Sequence, residues 1–192
     1  MNRAQLEHVL RAAATTVDDP GLLVIGSQAI LGAYAEDLLP VEATTSIEVD
    51  LAFFIDPDGS KADRVDGAIG ELSRFHETFG YYAQGVSVTT MVLPAGWEAR
   101  TVEFATPAAF PAQARCLEPH DCVVAKLVAG REKDRDFAAA LIREGLVVPE
   151  VLIDRIRALD GVDARVIERL EAWVRRRARG PATTEQKARG RQ

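Results

Sequence analysis

Two acidic residues in the sequence, Glu48 and Asp50, lie two positions apart in the largely apolar run from Ile47 to Ile55. The run alternates at first and then becomes wholly apolar before Pro57-Asp58-Gly59, which predicts a β-strand that enters the core. Side chains two positions apart on a strand face the same side, so both carboxylates can reach the same metal ions. Hard ions such as Mg²⁺ or Mn²⁺ prefer such oxygen ligands. The alternative is that the two acids simply lie on a solvent-exposed face of the strand, which is common.

A second candidate element is Gly26-Ser27, which follows the short apolar run Leu22 to Ile25 and precedes apolar residues at helical spacing. This order predicts a strand, a tight turn and a helix. Backbone N–H groups at such a turn, together with a helix N-terminus, attract phosphate oxygens. A glycine-serine turn alone is common, but the turn and the acidic strand together indicate transfer of a nucleotide from a triphosphate. That reaction needs a metal to neutralise charge on the α-phosphate and pyrophosphate.

The order Ile25-Gly26-Ser27 and then Glu48-Val49-Asp50 resembles the pattern of the nucleotidyltransferase superfamily. From about Leu22 to Leu146 the chain is similar to AbiEii-like toxins of type IV toxin-antitoxin systems and to related uncharacterised bacterial nucleotidyltransferase-like proteins. The resemblance implies a toxin-like, metal-dependent transferase. Its substrate would be a nucleoside triphosphate, its acceptor an RNA such as tRNA or a protein, and its partner a cognate antitoxin.

The second half of the resemblance is a predicted helix carrying Lys126 and the charged segment that follows it. In the similar proteins a lysine on this helix is thought to meet the triphosphate. The resemblance therefore implies nucleotide binding by Lys126, with Arg131 and Lys133 as further candidates. Lys126 interrupts an apolar helical face, where a lysine either contacts a ligand or snorkels to solvent. Asp134 and Asp136 are additional candidates, although acids also suit the start of a helix.

The chain departs from the superfamily pattern at its acidic residues. The first acid is a glutamate, and the spacing from Gly26-Ser27 to Glu48 is longer than usual. A third carboxylate is expected on the next predicted strand, Val86 to Leu93, which contains no acid. Glu103, on the strand predicted after that, is a candidate substitute. In some enzymes of this fold two carboxylates suffice, whereas in other members the loss of the third marks an inactive protein. The alternative is therefore a noncatalytic nucleotide- or partner-binding protein. In a purely structural adaptor the two acids would be a solvated face.

An aromatic segment from Phe75 to Tyr82 precedes that predicted strand. His76 could accept a proton or hydrogen-bond an acceptor substrate. Tyr81 or Tyr82 could stack on a base. The alternative is an aromatic cluster that caps the core and includes a satisfied histidine.

The elements together predict an α/β (α+β) fold, a nucleotidyltransferase-like mixed β-sheet flanked by helices with a helical C-terminal part. Further strands are expected over Val86–Leu93 and Arg100–Phe104, joined like a hairpin through Pro94-Ala95-Gly96. Further helices are expected over the first 17 residues, over 62–75, from Pro119 to Gly130, and from Asp134, Pro149 and Asp163. We expect a core over residues 1–118, a helical part over 119–179 and a disordered tail over 180–192, which has almost no apolar residues.

Composition indicates a globular chain of 192 residues, 47% apolar and 27% charged. It has no apolar run near the ~18 residues of a membrane span and no signal-peptide pattern, so we expect a cytoplasmic protein with no membrane partner. The formal net charge of −6 argues against nonspecific nucleic-acid binding by the whole surface. The basic residues near the C-terminus could touch RNA or form a solvated helix end. Cys116 and Cys122 are expected to be buried thiols.

Overall fold

A computed structural model describes residues 1–179 and confirms a mixed β-sheet flanked by helices. The strands are β1 (Leu22–Ile25), β2 (Glu48–Phe53), β3 (Tyr82–Gly85), β4 (Val102–Phe104) and β5 (Ala114–Cys116). Their order in the sheet is β3-β2-β1-β5-β4. β1 runs antiparallel to β2 and parallel to β5, β2 runs parallel to β3, and β4 runs antiparallel to β5. The predicted tail, 180–192, lies outside the described residues.

The α-helices of the described residues are α1 (Arg3–Val17), α2 (Val41–Thr44), α3 (Ser60–Ile69), α4 (Arg74–Phe79), α5 (Trp97–Arg100), α6 (Pro119–Ala129), α7 (Glu132–Arg143), α8 (Pro149–Arg157) and α9 (Ala164–Ala178). Helices α6 to α9 form the predicted helical C-terminal part. Pro119 begins α6, and Gly130 ends it in the left-handed conformation with a φ of 74°. Within residues 1–179, none of these helices has the length and apolar character to cross a membrane.

One continuous hydrophobic core positions the elements that carry the candidate residues. All four residues of β1 are buried, and they share the core with Leu51 of β2, Val124 of α6 and Leu141 of α7. Both cysteines are buried and unpaired, as the sequence predicts. Because β1 is covered on both faces, the core fixes the point at which the chain leaves it for Gly26. A boundary between residues 118 and 119 stays a prediction.

The predicted strand over Val86–Leu93 is wrong. The third strand, β3, ends at Gly85, and the following segment contains a 3₁₀ turn over Val88–Thr90. The Ser87 side chain accepts a hydrogen bond from the Thr89 N–H, and the Thr90 hydroxyl donates to the Ser87 carbonyl oxygen. These local bonds offer the backbone an alternative to strand pairing.

Other boundaries differ from the sequence prediction for local reasons. The helix expected over 62–75 is two helices, α3 and α4, interrupted at Gly70, whose extended ψ of −173° ends α3. The helix after Gly26 is a six-residue 3₁₀ helix, Ser27–Gly32. Pro94-Ala95-Gly96 does not join two paired strands, because it leads into α5 and β4 pairs with β5. The three-residue strand β5 was not predicted.

Candidate active site

The two strand carboxylates lie at the centre of the site. In the antiparallel pairing of β1 with β2, Asp50 is opposite Ile25, which places it beside the turn at Gly26. In the parallel pairing of β2 with β3, Glu48 is level with Tyr82, and the Tyr82 hydroxyl donates to Glu48 Oε2 at 2.9 Å. Both carboxylates are half-buried. Sheet register thus brings the acidic pair and the glycine turn together.

Gly26 fits against Asp50 so closely that a side chain has no space there. A Cβ atom at Gly26 would lie 1.9 Å from Asp50 Oδ2, and the backbone has a φ of 73° and a ψ of −164°. This region of backbone space is essentially restricted to glycine. From α6, the Cys122 thiol donates to the Gly26 carbonyl oxygen at 3.0 Å. Burial raises the pKa of Cys122 to about 12, so it remains a thiol and holds the turn in place.

The electrostatic environment of Asp50 favours a bound cation. Burial, followed by the negative charge of Glu48, raises the pKa of Asp50 to about 6, and the positive charge of Lys126 opposes the shift. Two neighbouring carboxylate groups whose negative charge is only partly balanced by nearby cations suit a divalent ion, which prefers oxygen ligands. Across residues 1–179 no group of three or more histidine, cysteine or acidic residues could hold a metal. The position level with Asp50 on β3 is Gln84, so the protein supplies two carboxylates.

Two clefts meet at Lys126. The central cleft, about 420 Å³, is lined by Asp50 and Gly26 together with Lys126, Arg131 and a largely apolar wall. The side cleft, about 280 Å³, is lined by a mainly polar set, namely Ser27, Glu42, Thr45, Ser46, Lys126, Lys133, Asp134 and Phe137. Lys126 therefore lines both the cleft that contains Asp50 and the polar side cleft, whereas Glu48 lines neither of them.

Asp134 positions the two cations beside the acidic pair. Its side chain is fully buried, and it accepts hydrogen bonds from Lys126 Nζ at 3.2 Å and from Arg131 Nε at 2.7 Å. Burial alone would raise the pKa of Asp134, but the Arg131 hydrogen bond and the Lys126 charge hold it below its usual value. The Lys126 side chain is only 11% exposed and lies 5.7 Å from the Phe137 ring. Lys126 is thus buried and ion-paired, and its side chain does not extend into solvent as the snorkelling alternative would require.

Several predicted site residues lie apart from this centre. Asp136 is exposed on α7 and does not line either cleft. Glu103 is exposed on β4, separated from β2 by β1 and β5, a distance of roughly 14 Å at the usual strand spacing. It cannot replace the missing third carboxylate from there. The Tyr81 hydroxyl contacts His8 Nδ1 at 2.7 Å, within an aromatic cluster that includes Phe75 and Phe79, so the structural alternative describes Tyr81.

His76 packs against Tyr82, whose hydroxyl contacts Glu48. Their ring centroids are 4.6 Å apart, and His76 Nδ1 accepts a hydrogen bond from the Leu72 N–H at 3.1 Å. A neutral His76 ring consequently carries its proton on Nε2 and is a donor there. The sequence singled out both residues, but the hydrogen bond from Tyr82 to Glu48 depends on the β2–β3 register. The support of Gly26 by Cys122, 96 positions along the chain, was also missed.

We predict that Lys126→Ala weakens triphosphate binding and also lowers the free energy of unfolding by about 1–3 kcal/mol, since it removes a partner from the buried Asp134 carboxylate. Titration of a triphosphate and chemical denaturation of the same variant measure the two effects. The matched control is Lys126→Ala combined with Asp134→Asn, which removes the buried charge that Arg131 alone would then balance. That pair should regain stability without regaining affinity. Unchanged affinity in Lys126→Ala would exclude the lysine from the site.

Comparison with known proteins supplies one match. A family model described as a nucleotidyltransferase of unknown function (DUF6036) matches residues 4–173. The matched range contains the glycine turn, the acidic pair, Lys126 and most of α9. No curated protein and no solved structure matches the chain.

Proposed function

The chain belongs to the DUF6036 family of nucleotidyltransferases of unknown function, and we propose that it is a metal-dependent member whose metal ligands are Glu48 and Asp50. The observation that carries the proposal is the contact of Asp50 with the Gly26 turn, in a cleft that also contains Lys126. A carboxylate pair, a phosphate-binding turn and a cation are the groups that nucleotidyl transfer requires. Nucleotidyl transfer from a triphosphate follows from the family, and the metal is our proposal.

The donor set suits Mg²⁺ or Mn²⁺, because both acidic ligands are hard oxygen donors, and burial followed by the charge of Glu48 raises the pKa of Asp50, so a bound cation would favour its ionised form. Such an ion, when bound, neutralises charge on the α-phosphate and on the departing pyrophosphate. Tyr82 orients the Glu48 carboxylate through its hydroxyl. Gly26 lets the backbone approach Asp50 without a side chain between them.

We place the triphosphate in the side cleft, where Ser27, Thr45, Ser46, Lys126 and Lys133 offer hydroxyl and cationic donors. Lys126 then stabilises the charge that grows on the leaving pyrophosphate. The base and sugar would occupy the central cleft. Among the described residues that line it, Thr90 is the one uncharged polar side chain, and the apolar remainder includes Val86, Met91 and Val128. We therefore expect weak discrimination between bases.

The acceptor and the cellular role are finer parts of the same proposal. We propose an RNA acceptor, including tRNA, with a protein acceptor as the other possibility. The similarity to AbiEii-like toxins supports a toxin-like role in the cytoplasm, countered by an antitoxin. His76, whose Nδ1 accepts a hydrogen bond from the Leu72 N–H, would donate from Nε2 to the acceptor substrate.

A noncatalytic nucleotide-binding protein is the second candidate, favoured by the glutamine at position 84. That residue pairs with Asp50 across the β2–β3 register, beside the acidic pair, and a neutral amide binds a divalent ion less strongly than a carboxylate. Such a protein would bind the nucleotide but would not transfer it to an acceptor.

The experiment that separates the two candidates incubates the protein with each α-labelled triphosphate, Mg²⁺ and either total RNA or a cell lysate. We expect label in RNA for the wild type and none for Asp50→Asn. Label in protein instead of RNA would identify a protein as the acceptor. Triphosphate binding without any transfer would favour the noncatalytic candidate.

A further inference from the structure

A third groove, of about 800 Å³, opens at the C-terminal ends of β2 and β3 and shares Val86 with the central cleft. We call it the aromatic groove. Its lining comes from the loop after β2, the start of α3, the segment after β3 and the start of α5. The lining side chains that bear on ligand binding are Phe54, Ile55, Asp56, Asp63, Trp97 and Glu98.

The aromatic groove exposes large apolar side chains next to each other. Phe54 is 46% exposed and Ile55 is 74% exposed. The rings of Phe54 and Trp97 are parallel within 8°, with centroids 6.4 Å apart. Contiguous exposed apolar side chains at the rim of a concave surface are typical of binding sites, and tryptophan is among the residues that contribute most to binding energy.

The charges of the aromatic groove have one sign. Its acidic lining residues are Asp56, Asp63 and Glu98, and the lining residues of the described chain include neither lysine nor arginine. Arg100 Nε on α5 contacts Asp121 at 2.8 Å. Lys61 Nζ on α3 lies at the groove wall, where it donates to the Ile55 carbonyl oxygen at 2.7 Å and lies 5.5 Å from the Phe53 ring, but it is ion-paired with Asp19 at 2.6 Å. Because Asp19 balances the Lys61 charge, the three acids leave the groove with a net negative charge, which repels a phosphodiester chain and attracts a cationic ligand.

The Asp56 side chain stabilises the wall of the aromatic groove. Its carboxylate oxygens accept hydrogen bonds from the backbone N–H groups of Lys61 and Ala62 at 3.1 and 3.0 Å, at the start of α3. Asp63 and Glu98 are exposed, and among the described residues neither side chain has a hydrogen-bond partner; Glu98 accepts from the Thr101 hydroxyl only through its backbone carbonyl. These two carboxylates are consequently available to a ligand.

We propose that the aromatic groove binds an arginine-bearing basic peptide segment of a partner protein. A guanidinium group is planar, stacks on aromatic faces and pairs with carboxylates, so Phe54, Trp97 and the two available acids match it. The two rings are nearly parallel and neighbouring, and the Phe54 side chain is 46% exposed, so they offer aromatic surface on which a guanidinium group can stack. The inference is independent of nucleotidyl transfer, although the shared Val86 places the peptide beside the central cleft.

The test is fluorescence anisotropy with a fluorescein-labelled peptide of alternating arginine and leucine. Matched peptides carry lysine or glutamate instead of arginine, and a labelled oligouridylate represents RNA. We expect the arginine peptide to bind more tightly than the lysine peptide, and the glutamate peptide and the RNA not to bind. Trp97→Ala should weaken binding by at least about tenfold. Asp63→Asn combined with Glu98→Gln should weaken it and reduce its salt dependence.

Exposed residues outside the groove supply the controls. Leu72→Ala, at a side chain that is 82% exposed, and Asp160→Asn should bind the peptide like the wild type. Trp97→Phe keeps an aromatic ring and should retain most of the affinity if Trp97→Ala fails to fold. Asp50→Asn should also bind normally, which separates this inference from the proposed reaction. Binding unchanged by both groove variants, no binding at about 1 mM, or RNA binding that depends on Trp97 would overturn the proposal.

Discussion

Replacing Gly26 with alanine is expected to lower the free energy of unfolding by about 3 kcal/mol or more and to abolish triphosphate binding. The new Cβ atom would lie 1.9 Å from Asp50 Oδ2, so the carboxylate or the turn must move. The backbone conformation, with a φ of 73° and a ψ of −164°, adds a strain of about 1–3 kcal/mol for any residue with a side chain. Chemical denaturation and nucleotide titration measure the two losses.

Gly59→Ala is the matched control for this prediction. Gly59 has the same φ of 73°, but a Cβ atom there meets nothing within 4 Å, so only backbone strain remains. We expect a cost of about 1 kcal/mol for this control. The double variant Gly26→Ala with Asp50→Ala removes the clashing carboxylate and should recover part of the lost stability. A Gly26→Ala variant no less stable than Gly59→Ala would show that the contact with Asp50 is absent.

The variant Asp50→Asn is expected to raise stability at neutral pH while it removes metal-dependent nucleotide binding. Burial and the charge of Glu48 raise the pKa of Asp50 to about 6 in the folded chain. Because the pKa of Asp50 is higher in the folded chain than in the unfolded chain, the protonated carboxyl favours folding. This contribution to stability is complete below the unfolded pKa, about 4, and is lost as the pH rises through about 6. The neutral amide avoids this loss, so we expect a gain of roughly 1–3 kcal/mol at pH 7.

The pH dependence provides the control for that prediction. Below about pH 4 the Asp50 carboxyl is protonated in both the folded and the unfolded chain, so the wild type and Asp50→Asn should differ little in stability. The difference should grow between about pH 4 and pH 7. Denaturation curves at several pH values measure it without a nucleotide. A variant that is less stable than the wild type at pH 7 would show that the Asp50 charge is fully compensated in the fold.

The parts of the site that the sequence predicts are those set by local signals. The apolar run before Gly26 and the alternating run around Glu48 and Asp50 each specify a strand within a few residues. The pairing of Lys126 with Asp134 could not be predicted in the same way. It joins positions on α6 and α7 across the turn at Gly130, and it depends on the burial of Asp134, which resembles an ordinary acid at a helix start.

The remainder depends on register and on side-chain competition for the backbone. The prediction placed the third strand at Val86, because that segment is rich in β-branched residues, but Ser87 and Thr90 close a turn instead. The true strand starts at Tyr82, and only its pairing with β2 reveals the hydrogen bond to Glu48 and the glutamine level with Asp50. Glu103 then lies too far away, as a consequence of the strand order.

The most direct test of the proposed site is the melting temperature of the wild type and of Asp50→Asn with each nucleoside triphosphate, in Mg²⁺ and in EDTA. Ligand at about 100 times its dissociation constant stabilises a protein by about 2.7 kcal/mol, which shifts the melting temperature of a chain this size by several degrees. We expect that shift for the wild type in Mg²⁺, little or none in EDTA, and none for Asp50→Asn in either buffer. A wild type that no triphosphate stabilises in Mg²⁺, or an Asp50→Asn variant with the full shift, would contradict the assignment of Glu48 and Asp50 as the metal ligands of a nucleotidyltransferase.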